Sequence, residues 1–140
     1  MIVLDTNVIS ELTRQAPTPG VMSWLDSLST VDVATTAITA AEMLYGVARL
    51  PGGRRKTELA AAVDGLLSDD FRDRVLAFDE QAARRYADIV TARERAGRLI
   101  GAADAQIAAI CQATNAALAT RNTDDFAGTG IELINPWKLG

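Results

Sequence analysis

Residues 1–7 read MIVLDTN, a short apolar run that ends abruptly in Asp5, Thr6 and Asn7. A continuous apolar run without alternating polar positions is typical of a central parallel strand that is buried on both faces. Asp5 then lies at the carboxyl end of that strand. In open parallel sheets, ligands bind beyond the carboxyl ends of the strands, so Asp5 is the first candidate for a functional residue. The alternative is that Asp5 only caps the helix that follows.

Beyond residue 7, the chain alternates between helical and strand-like segments. We predict further strands at residues 31–35, 74–78, 116–120 and 131–134. We predict helices at residues 8–14, 20–28, 40–50, from the Pro51–Gly53 break to about 68, 79–98 and 102–114. This order favours an α/β sandwich of three layers, in which a central, mostly parallel sheet of four to five strands is flanked by helices. We expect residues 1–140 to form a single domain.

The composition narrows the chemistry that this chain can perform. It is 49% hydrophobic and 23% charged, carries a net charge of -4, and contains no histidine. Without histidine, Ser-His and Cys-His triads and histidine-based zinc sites are excluded, so hydrolytic chemistry must depend on carboxylates. We interpret the single cysteine, Cys111, as a small buried core residue rather than a nucleophile. The acidic balance argues against a protein that coats nucleic acid, but not against an enzyme that binds RNA locally.

The sequence shows no sign of a targeting or membrane segment. Its start has no positively charged leader, and no stretch approaches the roughly 20 apolar residues of a membrane-spanning helix. We therefore expect a soluble, cytoplasmic protein without a membrane partner.

Glu42 is the second candidate acid. The segment 39–42, TAAE, matches a capping box, in which the glutamate bonds back to the N-cap amide. On a helical projection, however, Glu42 shares a face with Gly46 and Arg49. The opposite face carries the apolar side chains of Met43, Leu44, Val47 and Ala48. Capping and an open carboxylate site are both consistent with this pattern.

Asp104 is the third candidate acid and shares a helix face with Ile107, Ala108 and Cys111. The preference of aspartate for the first helical turn explains its position but not its apolar facing. Two anions about 4 Å apart repel by about 4 kcal/mol at an effective dielectric constant of 20, so converging acids must bind a cation or a proton. Oxygen ligands without histidine indicate Mg²⁺ or Mn²⁺.

Four segments give the chain a resemblance to a known family. They are MIVLDTNVISEL (1–12), TAITAAEMLYGVARLP (36–51), LIGAADAQIAAICQATNAALAT (99–120) and TRNTDDF (120–126). Their order and spacing resemble the PIN-domain family, and more narrowly the toxin subunits of VapBC-type toxin–antitoxin pairs and their FitB-like relatives. The resemblance spans essentially the whole chain.

This resemblance implies an activity and a set of site residues. The activity is that of a Mg²⁺- or Mn²⁺-dependent endoribonuclease, the toxin of a type II toxin–antitoxin system, which hydrolyses RNA phosphodiester bonds. The family's three acids fall on Asp5, Glu42 and Asp104, as catalytic residues and metal ligands. Many members have a fourth acid after the last core strand, where this chain has Asn122. Asn122 could orient a carboxylate or a metal-bound water, and Asp124 or Asp125 could approach from the turn.

The resemblance also implies partners, namely an RNA substrate, a cognate small antitoxin and a second copy of the chain in a homodimer. A surface for the antitoxin could come from Val8, Ile9, Leu12, Val21, Trp24 and Leu25, although core packing explains most of these equally well. Candidate phosphate contacts are Arg49, Arg54, Arg55, Lys56, Arg84, Arg85, Arg93, Arg95 and Arg98, against the alternative of solvated helix faces. Because Asn122 replaces an acid, a catalytically inactive PIN-like binding or regulatory subunit is the alternative function.

Overall fold

Five parallel strands form one sheet in residues 1–139, the part of the chain that the computed structural model describes. The strands are β1 (Ile2–Leu4), β2 (Val33–Thr36), β3 (Val75–Leu76), β4 (Ala117–Ala119) and β5 (Leu133–Ile134). Their order across the sheet is β3-β2-β1-β4-β5, and every neighbouring pair is parallel. The N-terminal strand is therefore central, as its uninterrupted apolar run predicts.

Six α-helices cover the two faces of this sheet. They are α1 (Thr6–Glu11), α2 (Pro19–Asp26), α3 (Ala37–Ala48), α4 (Arg54–Gly65), α5 (Glu80–Arg95) and α6 (Ala102–Thr114). Side chains of a strand alternate between faces, so Val3 and Leu118 pack with α5 and α6, whereas Leu4 and Ala119 pack with α1, α3 and α4. The predicted three-layer α/β sandwich is confirmed. In residues 1–139, no helix combines the length and the apolar character that crossing a membrane requires.

Several element boundaries differ from the prediction for local reasons. Helix α1 begins at Thr6 rather than residue 8, because Asp5 accepts a hydrogen bond from the Thr6 amide and caps the helix. The helix expected to reach residue 68 leaves α-geometry after Gly65 and continues as a π-helical turn, Leu66–Asp70. Helix α5 ends at Arg95 rather than residue 98, and Gly97 beyond it adopts a φ of 71°, which favours glycine.

Burial decides between core and surface for the apolar side chains of the first helices. Val8, Ile9 and Val21 are fully buried, so they are core residues and not an antitoxin surface, whereas Leu12 is exposed. In α3, Leu44 and Ala48 lie on the exposed side, which corrects the apolar face expected from the projection. The buried face of α3 consists of Thr39, Met43 and Val47. Cys111 is buried, and burial raises the pKa of its thiol to about 12, which confirms its interpretation as a core residue.

The parallel arrangement places the carboxyl ends of the three central strands at one edge. Asp5 follows β1, Thr36 closes β2 and caps α3, and Thr120 follows β4. The Asp5 amide donates to the carbonyl of Ala119 at 2.9 Å, which extends the β1–β4 pairing as far as the first polar residue. Residues that are more than a hundred positions apart in sequence are thus neighbours at this edge.

Candidate functional site

Asp5 is the central carboxylate of this edge and is only 5% exposed. One of its oxygens, Oδ1, accepts from the Thr6 amide at 2.8 Å, which is the helix-capping contact. The other, Oδ2, accepts from Thr120 Oγ at 2.8 Å and from Asn7 Nδ2 at 3.3 Å. Burial nevertheless raises the pKa of Asp5, although these three hydrogen bonds oppose the shift. Asp5 therefore caps α1 and also belongs to a polar cluster, so the two interpretations of this residue are compatible.

Glu42 does not take part in a capping box. The N-cap of α3 is Thr36, whose side chain accepts from the Thr39 amide at 3.1 Å, three residues before the predicted cap. The Glu42 carboxylate is therefore free of the helix terminus, and it accepts instead from Thr6 Oγ1 at 3.2 Å. Partial burial and the charge of Asp5 raise the pKa of Glu42, against the hydrogen bond from Thr6. The capping interpretation was wrong because the helix starts one turn earlier than the sequence pattern indicates.

Asp104 lies in the first turn of α6 and is half-buried, as its apolar neighbours predict. Burial, followed by the charges of Asp5, Asp125 and Glu42, raises its pKa from 3.8 to about 6. Arg93 acts in the opposite direction. The three acids that were singled out from the sequence thus lie near enough to disfavour one another's ionised form.

The structure adds Asp125 to this group of acids. Asp125 lies in a short 3-10 turn, Thr123–Phe126, and its charge raises the pKa values of both Asp5 and Asp104. Asn122, which occupies the position of the family's fourth acid, is exposed at the start of the same turn. Its backbone amide donates to Thr120 Oγ1 at 3.1 Å. Of the candidates for a fourth acidic group, Asp125 is the one whose charge acts on the cluster.

Thr6, Asn7 and Thr120 hold the acids in place. Thr120 is fully buried, and its hydroxyl donates to Asp5 while accepting from the Asn122 amide and from Asn7 Nδ2 at 3.4 Å. These residues resemble ordinary cap and turn residues in sequence, and their joint role appears only when β1 and β4 pair. We refer to Asp5, Glu42, Asp104 and Asp125 as the carboxylate cluster.

Arg93 is a buried cation that the sequence indicated as a surface residue. It is 6% exposed, and its guanidinium donates to the carbonyls of Arg98 (2.7 Å), Asp125 (3.2 Å) and Ala127 (2.9 Å). Arg93 is therefore not a phosphate contact, which corrects that expectation. It attaches the turn that carries Asp125 to the end of α5. The only sequence signal was its helical spacing from the buried Ile89 and Ala82, which lie four and eleven positions before it.

The donor chemistry of the carboxylate cluster suits a hard divalent cation. Carboxylate oxygens are the ligands that Mg²⁺ and Mn²⁺ prefer, and a cation would offset the burial and the repulsion that raise these pKa values. Within residues 1–139, no three acidic or cysteine side chains lie close enough to one another to enclose a single ion. Mg²⁺ usually binds through one or two carboxylates and keeps several of its waters, so this open arrangement fits Mg²⁺ better than a closed cage would.

A cleft of about 270 Å³ adjoins Glu42 between α1, α3 and α4. Gly46, Arg49 and Arg55 contribute to its walls together with Thr6. A Cβ added at Gly46 would meet no other atom within 4 Å, so this side of α3 is open next to the Glu42 carboxylate. Glu42 is thus accessible from a cleft that also contains cations.

Comparison with known proteins gives matches over nearly the whole chain. The family model described as PIN domain matches residues 2–131. The chain is 41% identical over 138 residues to the VapC ribonuclease Y4jK of Sinorhizobium fredii, with 99% of each protein covered. It is 42% identical over 137 residues to Toxin FitB of Neisseria gonorrhoeae, with 98% of this chain and 99% of that protein covered. A chain in the structure of FitAB bound to the IR36 DNA fragment matches with a TM-score of 0.93 and 43% identity, covering 100% of this chain and 98% of that chain.

Proposed function

The chain belongs to the PIN-domain family, and on that premise we propose that it is a Mg²⁺- or Mn²⁺-dependent endoribonuclease, the toxin of a type II toxin–antitoxin pair. The observation that carries the proposal is the convergence of Asp5, Glu42 and Asp104 at the carboxyl edge of the sheet, where burial and the charge of Asp5 raise the pKa values of Glu42 and Asp104. Carboxylates held close together in this way need a cation that compensates their negative charge. The chain contains no histidine that could carry this positive charge in place of a metal ion. We propose that the protein acts in the cytoplasm.

Each acid of the cluster has a distinct part in this proposal. Asp5, which three donors keep in one orientation, is the fixed ligand, and Asp104 is the second ligand. Glu42 is exposed and accepts one hydrogen bond, from Thr6 Oγ1, so its carboxylate is suited to orient the attacking water. A divalent ion bound here would lower the pKa of a water and stabilise charge on the scissile phosphate. Asn122, at the start of the turn that carries Asp125, would orient a carboxylate or a metal-bound water. Asp125 supplies negative charge in place of the family's fourth acid.

Arg49 and Arg55 are the cations best placed to hold the RNA backbone on the Glu42 side. Both line the cleft next to Glu42, and among residues 1–139 neither has a carboxylate within 4 Å. By contrast, Arg54 pairs with Glu58 at 2.8 Å on the surface of α4. An arginine without an ion-pair partner keeps its donors available for phosphate oxygens.

Two protein partners complete the proposal. A small antitoxin would cover the carboxylate cluster, because related toxins are found in toxin–antitoxin complexes. A second copy of the chain would form a homodimer. Leu44 and Tyr45, which are 47% and 65% exposed on α3, are apolar side chains that such an interface would remove from water.

Cleavage of structured RNAs by antitoxin-free protein tests the proposed activity. We expect cleavage with Mg²⁺ or Mn²⁺, none with EDTA, and none for an Asp5→Asn, Asp104→Asn double variant that still folds. Asp88→Asn is the matched control, since Asp88 is an exposed acid on α5 and should retain activity. If the wild type binds Mn²⁺ but leaves tRNA, rRNA and mRNA intact, the inactive binding or regulatory subunit replaces the nuclease as the preferred function.

A further inference from the structure

Arg121 and Trp137 form a fixed pair beside the carboxylate cluster. The guanidinium carbon of Arg121 lies 5.0 Å from the centroid of the Trp137 ring, within the range of a cation–π contact. Trp137 lies in a 3-10 turn, Pro136–Lys138, and packs against the core formed by α1, α3 and α4. The indole is therefore anchored, whereas the guanidinium is exposed.

Hydrogen bonds connect this pair to Asp5. The Arg121 amide donates to Asn7 Oδ1 at 3.0 Å, and Asn7 Nδ2 donates to Asp5 Oδ2 at 3.3 Å. On the other side, Asn135 Nδ2 donates to the Arg121 carbonyl at 3.4 Å, while Asn135 Oδ1 accepts from the Trp137 amide at 3.0 Å. These bonds fix the backbone of Arg121 relative to Asp5 and Trp137, and the contact with the Trp137 ring restricts its side chain.

A cavity of about 590 Å³ opens between these residues and the turn that carries Asp125. Its walls include Arg121, Trp137 and Lys138, together with Asn122 and the carboxylates of Asp124 and Asp125. Among residues 1–139, neither Arg121 nor Lys138 has a carboxylate within 4 Å, so their charged donors are not used internally. The cavity therefore presents two available cations next to an acidic cluster that belongs to the proposed active site.

The strand order shows on which side of Asp5 these cations lie. Glu42 follows β2, Asp125 and Arg121 follow β4, and β1 with Asp5 is between them. A nucleic acid strand whose scissile phosphate is at Asp5 can extend along this edge toward both neighbours. The cleft with Arg49 and Arg55 lies on the β2 side, so the Arg121 cavity is the exit on the β4 side.

We propose that Arg121, held by Trp137 and assisted by Lys138, binds the phosphate that follows or precedes the scissile one on the β4 side of Asp5. This subsite rests on the proposed ribonuclease function. Arginine matches phosphate oxygens with several donors, and the indole restricts the guanidinium before RNA binds, which lowers the entropy lost on binding. Trp137 is a positioning residue here, because it acts through Arg121.

Binding of a fluorescein-labelled, single-stranded RNA 12-mer in EDTA tests the subsite without cleavage. We expect Arg121→Ala to weaken binding by about tenfold and to reduce the slope of log K against log salt by about 0.7, the loss of one phosphate contact. Arg72→Ala is the matched control, because Arg72 is exposed and precedes β3 at the amino edge of the sheet, opposite the carboxylate cluster, and it should leave both quantities unchanged. Trp137→Leu should weaken binding with the wild-type slope, and Trp137→Phe should restore most of the affinity.

Cleavage kinetics separate a failure of the subsite from a failure of the proposed function. In a cleaving protein, Arg121→Ala should raise KM by about tenfold with a smaller change in kcat. If the wild type cleaves and Arg121→Ala behaves like Arg72→Ala in affinity and salt slope, the subsite is overturned while the nuclease stands. If no RNA is cleaved but Arg121→Ala still lowers both the RNA affinity and the slope of log K against log salt, the nuclease proposal fails and the phosphate subsite stands.

Discussion

The carboxyl of Asp104 is in a position where burial and three other carboxylates disfavour its charge. Its pKa is about 6 in the folded chain against an ordinary 3.8, so the folded state binds a proton more tightly than the unfolded state. The free energy of unfolding therefore falls as the pH rises from about 4 to 6. A shift of this size corresponds to at most about 3 kcal/mol, and solvent screening of a half-buried group reduces it.

Asp104→Asn should stabilise the metal-free protein at pH 7.5 by about 1–2 kcal/mol, because a neutral amide removes the repulsion. At pH 4.5, where Asp104 is protonated in the folded state, the same substitution should have little effect. Urea unfolding in EDTA at the two pH values measures the difference, with Asp88→Asn as the surface control. Equal effects of Asp104→Asn at both pH values would show that the charge of Asp104 is not disfavoured.

For individual residues, the sequence was informative where an acidic side chain stood at a position that a strand end or an apolar helix face marks as unusual. Asp5 and Asp104 were found because an acid followed a buried strand or faced an apolar stripe. Glu42 was found with a competing explanation that only the true start of α3 removed. Arg93 was not assigned its place, and Asp125 was only one candidate beside Asp124, because the contacts that define both residues join α5 to a turn 32 positions away along the chain. The grouping of the acids was derivable, but the contacts that hold them were not.

The turn that carries Asp125 depends on a single buried side chain from another element. Arg93→Ala should destabilise the protein by about 2–4 kcal/mol, because the carbonyls of Arg98, Asp125 and Ala127 lose the buried guanidinium that donates hydrogen bonds to them. Hydrogen exchange should become faster at residues 121–129. Arg95→Ala is the control, since Arg95 is exposed on the same helix and should change stability by less than about 0.5 kcal/mol. Unchanged exchange in that segment would contradict this role of Arg93.

Helix α3 contains a glycine that no packing requires. Gly46→Ala should stabilise the protein by up to about 1 kcal/mol, because alanine is the better helix former and its Cβ meets no atom within 4 Å. Since Gly46 lines the cleft beside Glu42, the same substitution tests whether RNA needs that space. Thermal unfolding and RNA affinity are the two measurements. A stabilised variant with wild-type affinity would show that the open side of α3 is not used by the substrate.

Element boundaries followed hydrogen-bonding groups more closely than apolar periodicity. Helix α3 begins at Ala37, three residues before its predicted start at residue 40, because Thr36, at the end of β2, caps it. The two outer strands, β3 and β5, are only two residues long, shorter than their apolar runs. Their ends are set by pairing with β2 and β4, which a single segment does not contain. The type of each element could be predicted, whereas its limits depended on neighbours in space.

For the molecule as a whole, the sheet order is the link between sequence and function. Placing β1 between β2 and β4 brings Asp5 between the elements that carry Glu42 and Asp125. The alternation of helices and strands indicated a parallel sandwich, and the resemblance to the PIN-domain family, now confirmed by the family match, indicated the order of the acids. The β4-side cavity was not predicted, because it needs Arg121 and Trp137 to meet across the end of the sheet.

Metal binding should therefore change the stability of the whole chain in a pH-dependent way. Mn²⁺ at a hundred times its dissociation constant should add about 2.7 kcal/mol to the free energy of unfolding at pH 7.5, or roughly 10 °C in Tm for a chain of this size. At pH 5 the same Mn²⁺ concentration should add only about half as much, because Asp104, with its pKa of about 6, is mostly protonated and Mn²⁺ must displace the proton, which lowers its affinity about tenfold. Differential scanning calorimetry with and without Mn²⁺ at both pH values measures this, and Asp5→Asn should abolish the increment. An equal increment at both pH values, or one that survives Asp5→Asn, would place the ion elsewhere on the protein and remove the carboxylate cluster from consideration as its site.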